Sequence, residues 1–227
     1  MMNLDGNTEV AQYVAERPSL ATLFEKLGID YCCGGHQSLQ AACEQRGLSL
    51  DQVLCQIGQG MREPSEPNLQ SLTPAELVAY IVERYHESLR RTLPVLTHQL
   101  ERVVSAHGRD QPELLEIQQV FHEFSSEMME HMQKEEQILF PLISGSLQQV
   151  GCKLSNIIDR MESEHDSSAQ ALSKLRQLTG GYAIPEGACQ TYRSAMSGLA
   201  ELEKDTHQHV HAENHILFPQ ALAAVGR

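Results

Sequence analysis

No tryptophan occurs in this chain of 227 residues, and aromatic residues make up only 5% of it. β-sandwich cores draw heavily on aromatic and β-branched side chains, so this scarcity favours helices packed through Leu, Ile, Val, Ala and Met. Positive charge is also short. With 17 Lys and Arg against 30 Asp and Glu, the net charge is −13, which makes a broad phosphate-binding surface, and hence a nucleic-acid partner, a poor expectation. No stretch approaches the roughly 18 continuous apolar residues of a membrane span. The first residues lack the basic and apolar regions of a secretory signal, so a cytoplasmic location is expected. Six cysteines in such a chain read as reduced thiols rather than a disulfide framework.

Helical punctuation then divides the chain. Residues 1–60 carry short apolar-periodic runs that stop before Pro18, at Gly28, at Gly47 and near Gly58–Gly60. Residues 61–72 hold two prolines and little periodicity, which marks a linker. Thr73-Pro74-Ala75-Glu76 is a strong helix start, with a Thr cap, Pro at the first helical position and Glu at the third. From there to residue 227 the text fits four helices, from Thr73, from about Pro112 to Ser144, from Gly151 to Gly180-Gly181, and from Pro185 to about Ala224. The expected fold is all-α: a small helical N-terminal domain, then an up-down four-helix bundle over 73–227.

The bundle says one thing twice. His131-Met132-Gln133-Lys134-Glu135-Glu136-Gln137-Ile138-Leu139-Phe140-Pro141 and His209-Val210-His211-Ala212-Glu213-Asn214-His215-Ile216-Leu217-Phe218-Pro219 share H-x-x-x-E-x-x-I-L-F-P. Residues four apart lie on one helix face, so each copy offers an imidazole and a carboxylate to the same point. The repeat extends further, because His86 precedes His131 by 45 residues and His165 precedes His209 by 44. Two αα-hairpins, each with one His on its first helix and H-x-x-x-E on its second, supply His86, His131, Glu135, His165, His209 and Glu213. Imidazole and carboxylate together suit iron, manganese or zinc, and two matched sets suggest two ions bridged by the carboxylates.

His122, His207, His211 and His215 fall on other faces and are expected at the surface. Glu127 and Asp205, each four residues before a repeated histidine, and Glu164, beside His165, are candidates to orient imidazoles or relay protons, ordinary surface acids being the alternative. A rival ligand scheme uses Glu83 and Glu162, which form Glu-x-x-His pairs with His86 and His165. It leaves His131 and His209 without a role.

With these residues in place, the bundle resembles the hemerythrin-like domains. With Asp30-Tyr31-Cys32-Cys33-Gly34-Gly35 in front, nearly the whole chain resembles the repair-of-iron-centres family. The resemblance implies a centre of two non-haem iron ions, oxo- and carboxylate-bridged, held by the six residues above. It implies a role in restoring iron–sulfur clusters damaged by nitrosative or oxidative stress, with damaged iron–sulfur proteins as partners and nitric oxide or oxygen as small ligand. Reaction with nitric oxide as a reductase, and a homodimer, are compatible with it. Carriage or sensing of oxygen or nitric oxide is the alternative function.

The resemblance also assigns the family's paired cysteines to Cys32 and Cys33. A thiol near a helix N-terminus, with glycines beside it, is expected to be accessible and acidic, able to bind iron or copper, take up a nitrosyl group or form a strained, easily reduced disulfide. Cys43, Cys55, Cys152 and Cys189 fall in helical text or near helix ends and are expected to be packing residues.

Overall fold

The structure, a computed structural model, describes residues 5–61, 69–145 and 151–225. Four short helices form the N-terminal module: α1 (Val10–Glu16), α2 (Ala21–Leu27), α3 (Leu39–Arg46) and α4 (Leu50–Gly60). Left-handed glycines Gly28 and Gly47 end α2 and α3, and the Ser38 hydroxyl caps α3 by accepting from the Ala41 N–H at 3.2 Å. Tyr13, Phe24, Tyr31 and Ile57 centre the module's own core. Most of the expected linker, residues 62–68, lies outside the described residues.

The bundle follows. Helix α5 runs as Pro74–Ile81, a wide π-turn at Val82–His86, then Glu87–His107. Its start carries the full capping box, the Thr73 hydroxyl accepting from the Glu76 N–H and the Glu76 carboxylate accepting from the Thr73 N–H. Helix α6 runs as Glu113–Lys134, a π-turn at Glu135–Leu139, then Phe140–Ser144. Helix α7 is Gly151–Leu178. Helix α8 runs as Gln190–Ala212, a π-turn at Glu213–Leu217, then Phe218–Val225. It begins five residues later than Pro185 suggested, because Pro185 to Gly187 form a turn, with Gly187 left-handed, and Cys189 takes the cap position.

Pro141 and Pro219 neither end nor break their helices. Each stands just after a π-turn, in which the N–H of Phe140 reaches the carbonyl of Glu135 and that of Phe218 reaches Glu213. The widened turn gives the proline ring room beside the carbonyl four residues back, where a regular helix would clash. Three of the four bundle helices therefore widen at a candidate ligand: one π-turn ends on His86, and two begin on Glu135 and Glu213.

Two apolar clusters fill the bundle. One, built on Leu93, Leu100, Phe121, Phe124 and Leu199, packs the half distant from the π-turns. The other, built on Leu77, Ile81, Phe140, Ile158, Leu217 and Phe218, packs the π-turn end. The candidate ligands lie between the two.

The module sits against α8. Val210 enters the module's core, the Lys204 ammonium donates to the Thr22 hydroxyl at 3.0 Å, and the imidazole of His211 donates from Nδ1 to the Tyr31 carbonyl at 3.0 Å. His215 donates from Nε2 to the Cys32 carbonyl. The expectation that His207, His211 and His215 lie at the surface is therefore corrected: His211 is buried and the other two are half-buried beneath the module. Their helix face does point away from the ligands, but a second domain covers it. Exposed Cys55 and Cys189 likewise depart from the packing role expected of them, whereas Cys43 is buried.

Gly35 shows how tight this seat is. A Cβ there would lie 2.5 Å from the Tyr31 carbonyl oxygen, 2.7 Å from Ala11 and 2.9 Å from His215 Nε2. Gly35→Ala is expected to cost roughly 1–3 kcal/mol through overpacking. A urea titration of the full chain checks this; an unchanged midpoint would contradict the packing described.

Candidate metal centre

All six candidate ligands are buried, and they meet in two overlapping groups: His86, Glu135, His209 and Glu213 form one, and His131, Glu135, His165 and Glu213 the other. Glu135 and Glu213 belong to both. Neither hairpin completes a group alone, since each group takes one imidazole from each hairpin. The π-turns set this geometry by starting at the two shared carboxylates, so His131 and Glu135, like His209 and Glu213, still share a face while the following Leu and Phe turn into the apolar cluster.

Three imidazoles are fixed from behind. His86 donates from Nδ1 to Glu136 at 2.7 Å, His131 to Glu164 at 3.0 Å, and His165 to the Asn214 side-chain oxygen at 2.8 Å. Arg90 holds Glu136 at 2.7 Å, and Lys134 holds Glu164 at 2.8 Å. With Nδ1–H committed, each ring turns a bare Nε2 lone pair inward. His131 and His165 then face each other at 3.0 Å, and His86 faces His209 at 3.1 Å. Nδ1 of His209 has no hydrogen-bond partner among the described residues, and its ring stacks on Tyr85 at 5.5 Å.

Opposed lone pairs repel unless a cation or a proton lies between them. The carboxylates carry the same message: all four oxygens of Glu135 and Glu213 are buried without a hydrogen-bond partner among the described residues, although imidazole nitrogens lie 3.2–3.4 Å away. Uncompensated buried carboxylates are expensive. Two nitrogens about 3 Å apart also match adjacent ligands on one ion with bonds of about 2.1 Å. The donor set fits two metal ions.

Without metal, protons take over. Burial opposes charge on His165, but the Glu213 carboxylate overrides it and pushes the imidazole up to about 9; burial also opposes charge on His86, which Glu135 pushes up. Burial would raise Glu213, yet His209 and His165 hold it well below the carboxylate range.

The other expected site residues fall differently. Glu164 accepts from His131 at 3.0 Å, and burial notwithstanding, Lys134 and His131 hold it down at about 2. Glu127 is exposed and lines, with Glu130 and Glu164, a cleft of 230 Å³ that leads to His131. Asp205 belongs to neither group and pairs with Arg84 at 3.2 Å. Glu83 and Glu162 of the rival scheme are exposed and outside both groups. Two residues escaped the sequence reading, Glu136 and Asn214. The repeat carried their signal, since each directly follows the shared carboxylate.

Cys32 corrects an expectation. It is not an accessible, acidified thiol but a buried one, 3% exposed, whose Sγ donates to Asp30 at 3.3 Å. The neighbouring Cys33 thiol and burial push it well up. The helix N-terminus that was to acidify it is capped by Ser38, six residues on, and the sulfur packs into the module instead. Cys33 is half-buried.

A four-helix bundle with inward His and Glu side chains defines a class, and the chain's similarity to known proteins agrees with it. The hemerythrin HHE cation binding domain matches residues 77–221, and ScdA_N, a domain of unknown function, matches residues 6–59. Iron-sulfur cluster repair protein ScdA of Staphylococcus haemolyticus is 35% identical over 211 residues, covering 92% of this chain and 95% of its own. Iron-sulfur cluster repair protein YtfE of Pectobacterium carotovorum is 37% identical over 210 residues, covering 90% and 92%. YtfE of Yersinia pestis is 36% identical over 206 residues. The chain belongs to this two-part ScdA/YtfE family, with a hemerythrin-type cation-binding bundle.

Metal uptake by the stripped protein is expected to release protons and to tighten as pH rises toward about 9, because raised imidazoles must give up protons to bind an ion. Calorimetry in buffers of different ionisation enthalpy checks this; a null proton count would contradict it. Glu164→Gln is expected to weaken metal affinity roughly 10–100-fold, read by chelator competition, with the fold unchanged.

Proposed function

We propose that this protein repairs iron–sulfur clusters damaged by nitrosative or oxidative stress, acting in the cytoplasm and holding two iron ions per chain bridged by Glu135 and Glu213. The observation that carries this reading is the sharing of both carboxylates by two four-residue ligand groups. The relatives' names supply the task. When bound, the iron pair supplies one-electron chemistry toward nitric oxide or oxygen, and iron for transfer to a damaged cluster.

The chain's own residues fit that work. His86 pairs with His209 and His131 with His165, each pair serving one ion. Glu136 and Glu164 keep two imidazoles in the tautomer that binds metal and can receive their Nδ1 protons. The acidic cleft of Glu127, Glu130 and Glu164 reaches His131, so the ion held by His131 and His165 is the exchangeable one and the cleft its route to solvent. Cys32 and Cys33, carried on the outer face of α8, supply thiol chemistry for repair. Simple carriage or sensing of a diatomic ligand gives no work to this seated cysteine module, so we place it second.

His131→Ala is expected to lower bound iron toward half and to abolish iron transfer to an apo cluster protein, whereas the double substitution of Cys32 and Cys33 by Ser is expected to keep iron and lose repair. Iron analysis and reactivation of a nitric-oxide-treated cluster enzyme read the two effects. Full iron in His131→Ala, or full repair without the cysteines, would overturn the corresponding assignment.

A further inference from the structure

A second cleft, of 270 Å³, opens where the module meets α7 and α8. Boundaries between domains are favoured places for small-molecule sites, and this volume lies just below the roughly 300–1,000 Å³ of typical ligand pockets. Cys32 forms part of its wall, while Cys33 does not. The polar groups around it carry both signs. Arg46 is exposed and forms no ion pair among the described residues. The other guanidinium, Arg176, is already committed to the buried Glu203 at 3.1 Å. Glu25 accepts the Tyr31 hydroxyl at 2.8 Å, and Asp30 accepts from the Cys32 and Gly34 N–H groups at 2.9 and 3.0 Å. Each carboxylate keeps lone pairs for a further donor. One uncommitted cation, two carboxylates with spare acceptor capacity and a wall that includes Cys32, whose Sγ is held by the Asp30 carboxylate of the same wall, complement a molecule that carries a carboxylate, an ammonium and a thiol.

We propose that this cleft binds a small zwitterionic thiol, of amino-acid or short-peptide type, with its carboxylate on Arg46, its ammonium toward Glu25 and Asp30, and its sulfur against Cys32. The proposal rests on the reading that Cys32 and Cys33 do thiol chemistry, and it names their reductant. Once a peroxide has oxidised the pair to a disulfide, taking two electrons and two protons and being reduced to water, the bound thiol, as thiolate, attacks Sγ of Cys32. The Cys32–Cys33 bond breaks, and Cys33 leaves as a thiolate that takes up the proton released by the incoming thiol. A second thiol of the same class then attacks the ligand's sulfur in the mixed disulfide. Cys32 returns to the thiol form, and the disulfide of the two small thiols departs. Two small thiols supply the two electrons, and every proton is accounted for. The direction follows from the walls: a ligand in the cleft meets Cys32, and the leaving sulfur is the more exposed, better solvated Cys33.

The test uses the full-length, iron-loaded protein. S-methylglutathione, which cannot form a disulfide, is titrated by calorimetry into the wild type, into Arg46→Gln and into the double variant with Ser at positions 32 and 33. Saturable binding is expected in the wild type, weakened about tenfold or more in Arg46→Gln through loss of a charge-assisted contact and retained in the double variant. In parallel, the oxidised wild type is treated with glutathione, quenched by alkylation and mapped by mass spectrometry, where the adduct is expected on Cys32. Absence of saturable binding, equal affinity in Arg46→Gln, or an adduct confined to Cys33 overturns the proposal. If the double variant repairs clusters normally yet still binds S-methylglutathione, the thiol role of the pair fails while the cleft stands as a binding site.

Discussion

Two carboxylates, Glu135 and Glu213, lie fully buried with no hydrogen bond from the described residues to any of their four oxygens, and the bundle is built around the need to compensate them. Unpaired charge in a low-dielectric interior costs several kcal/mol per ion, so such a pair persists only with cations at hand. The four inward imidazoles meet that need, by carrying protons or by holding a cation. Everything nearby serves the arrangement: Glu136, Glu164 and Asn214 fix ring orientation, Arg90 and Lys134 hold the first two of these, and apolar clusters on either side keep water out. The three π-turns belong to the same constraint, since they let a helix present a ligand and then rotate Leu and Phe into the core without ending at the proline.

Helix α8 works on two faces. His209 and Glu213 point into the metal centre, while His211 and His215, each two residues on, hold the carbonyls of Tyr31 and Cys32. The cysteine loop is therefore seated one helix away from the candidate metal centre, on side chains interleaved with its residues.

The repeat made the six candidate ligands legible before any coordinates, because His and Glu four residues apart must share a helix face and a second copy makes coincidence improbable. The capping box at Thr73 and the glycine stops at Gly28 and Gly47 were equally local, and local backbone chemistry fixes them. Glu136 and Asn214 were less visible. Their roles depend on reaching across to His86 and His165 on other helices, and adjacency to a ligand in sequence says nothing about that reach. Asp205 shows the reverse error: it shares a face with His209 along the chain, yet Arg84 from α5 claims it.

Sequence by itself determined the helical class, the bundle and the six candidate ligands, since periodicity and short-range spacing are properties of single helices. Tertiary structure alone decided which imidazole joins which, that each side-chain group draws on both hairpins, and that His211 and His215 lie under a second domain. It also decided that Cys32 is a buried, hydrogen-bonded thiol instead of an exposed acidic one. Burial and partner choice are set by what packs across a face, and no spacing along one chain segment records the neighbour that arrives from another.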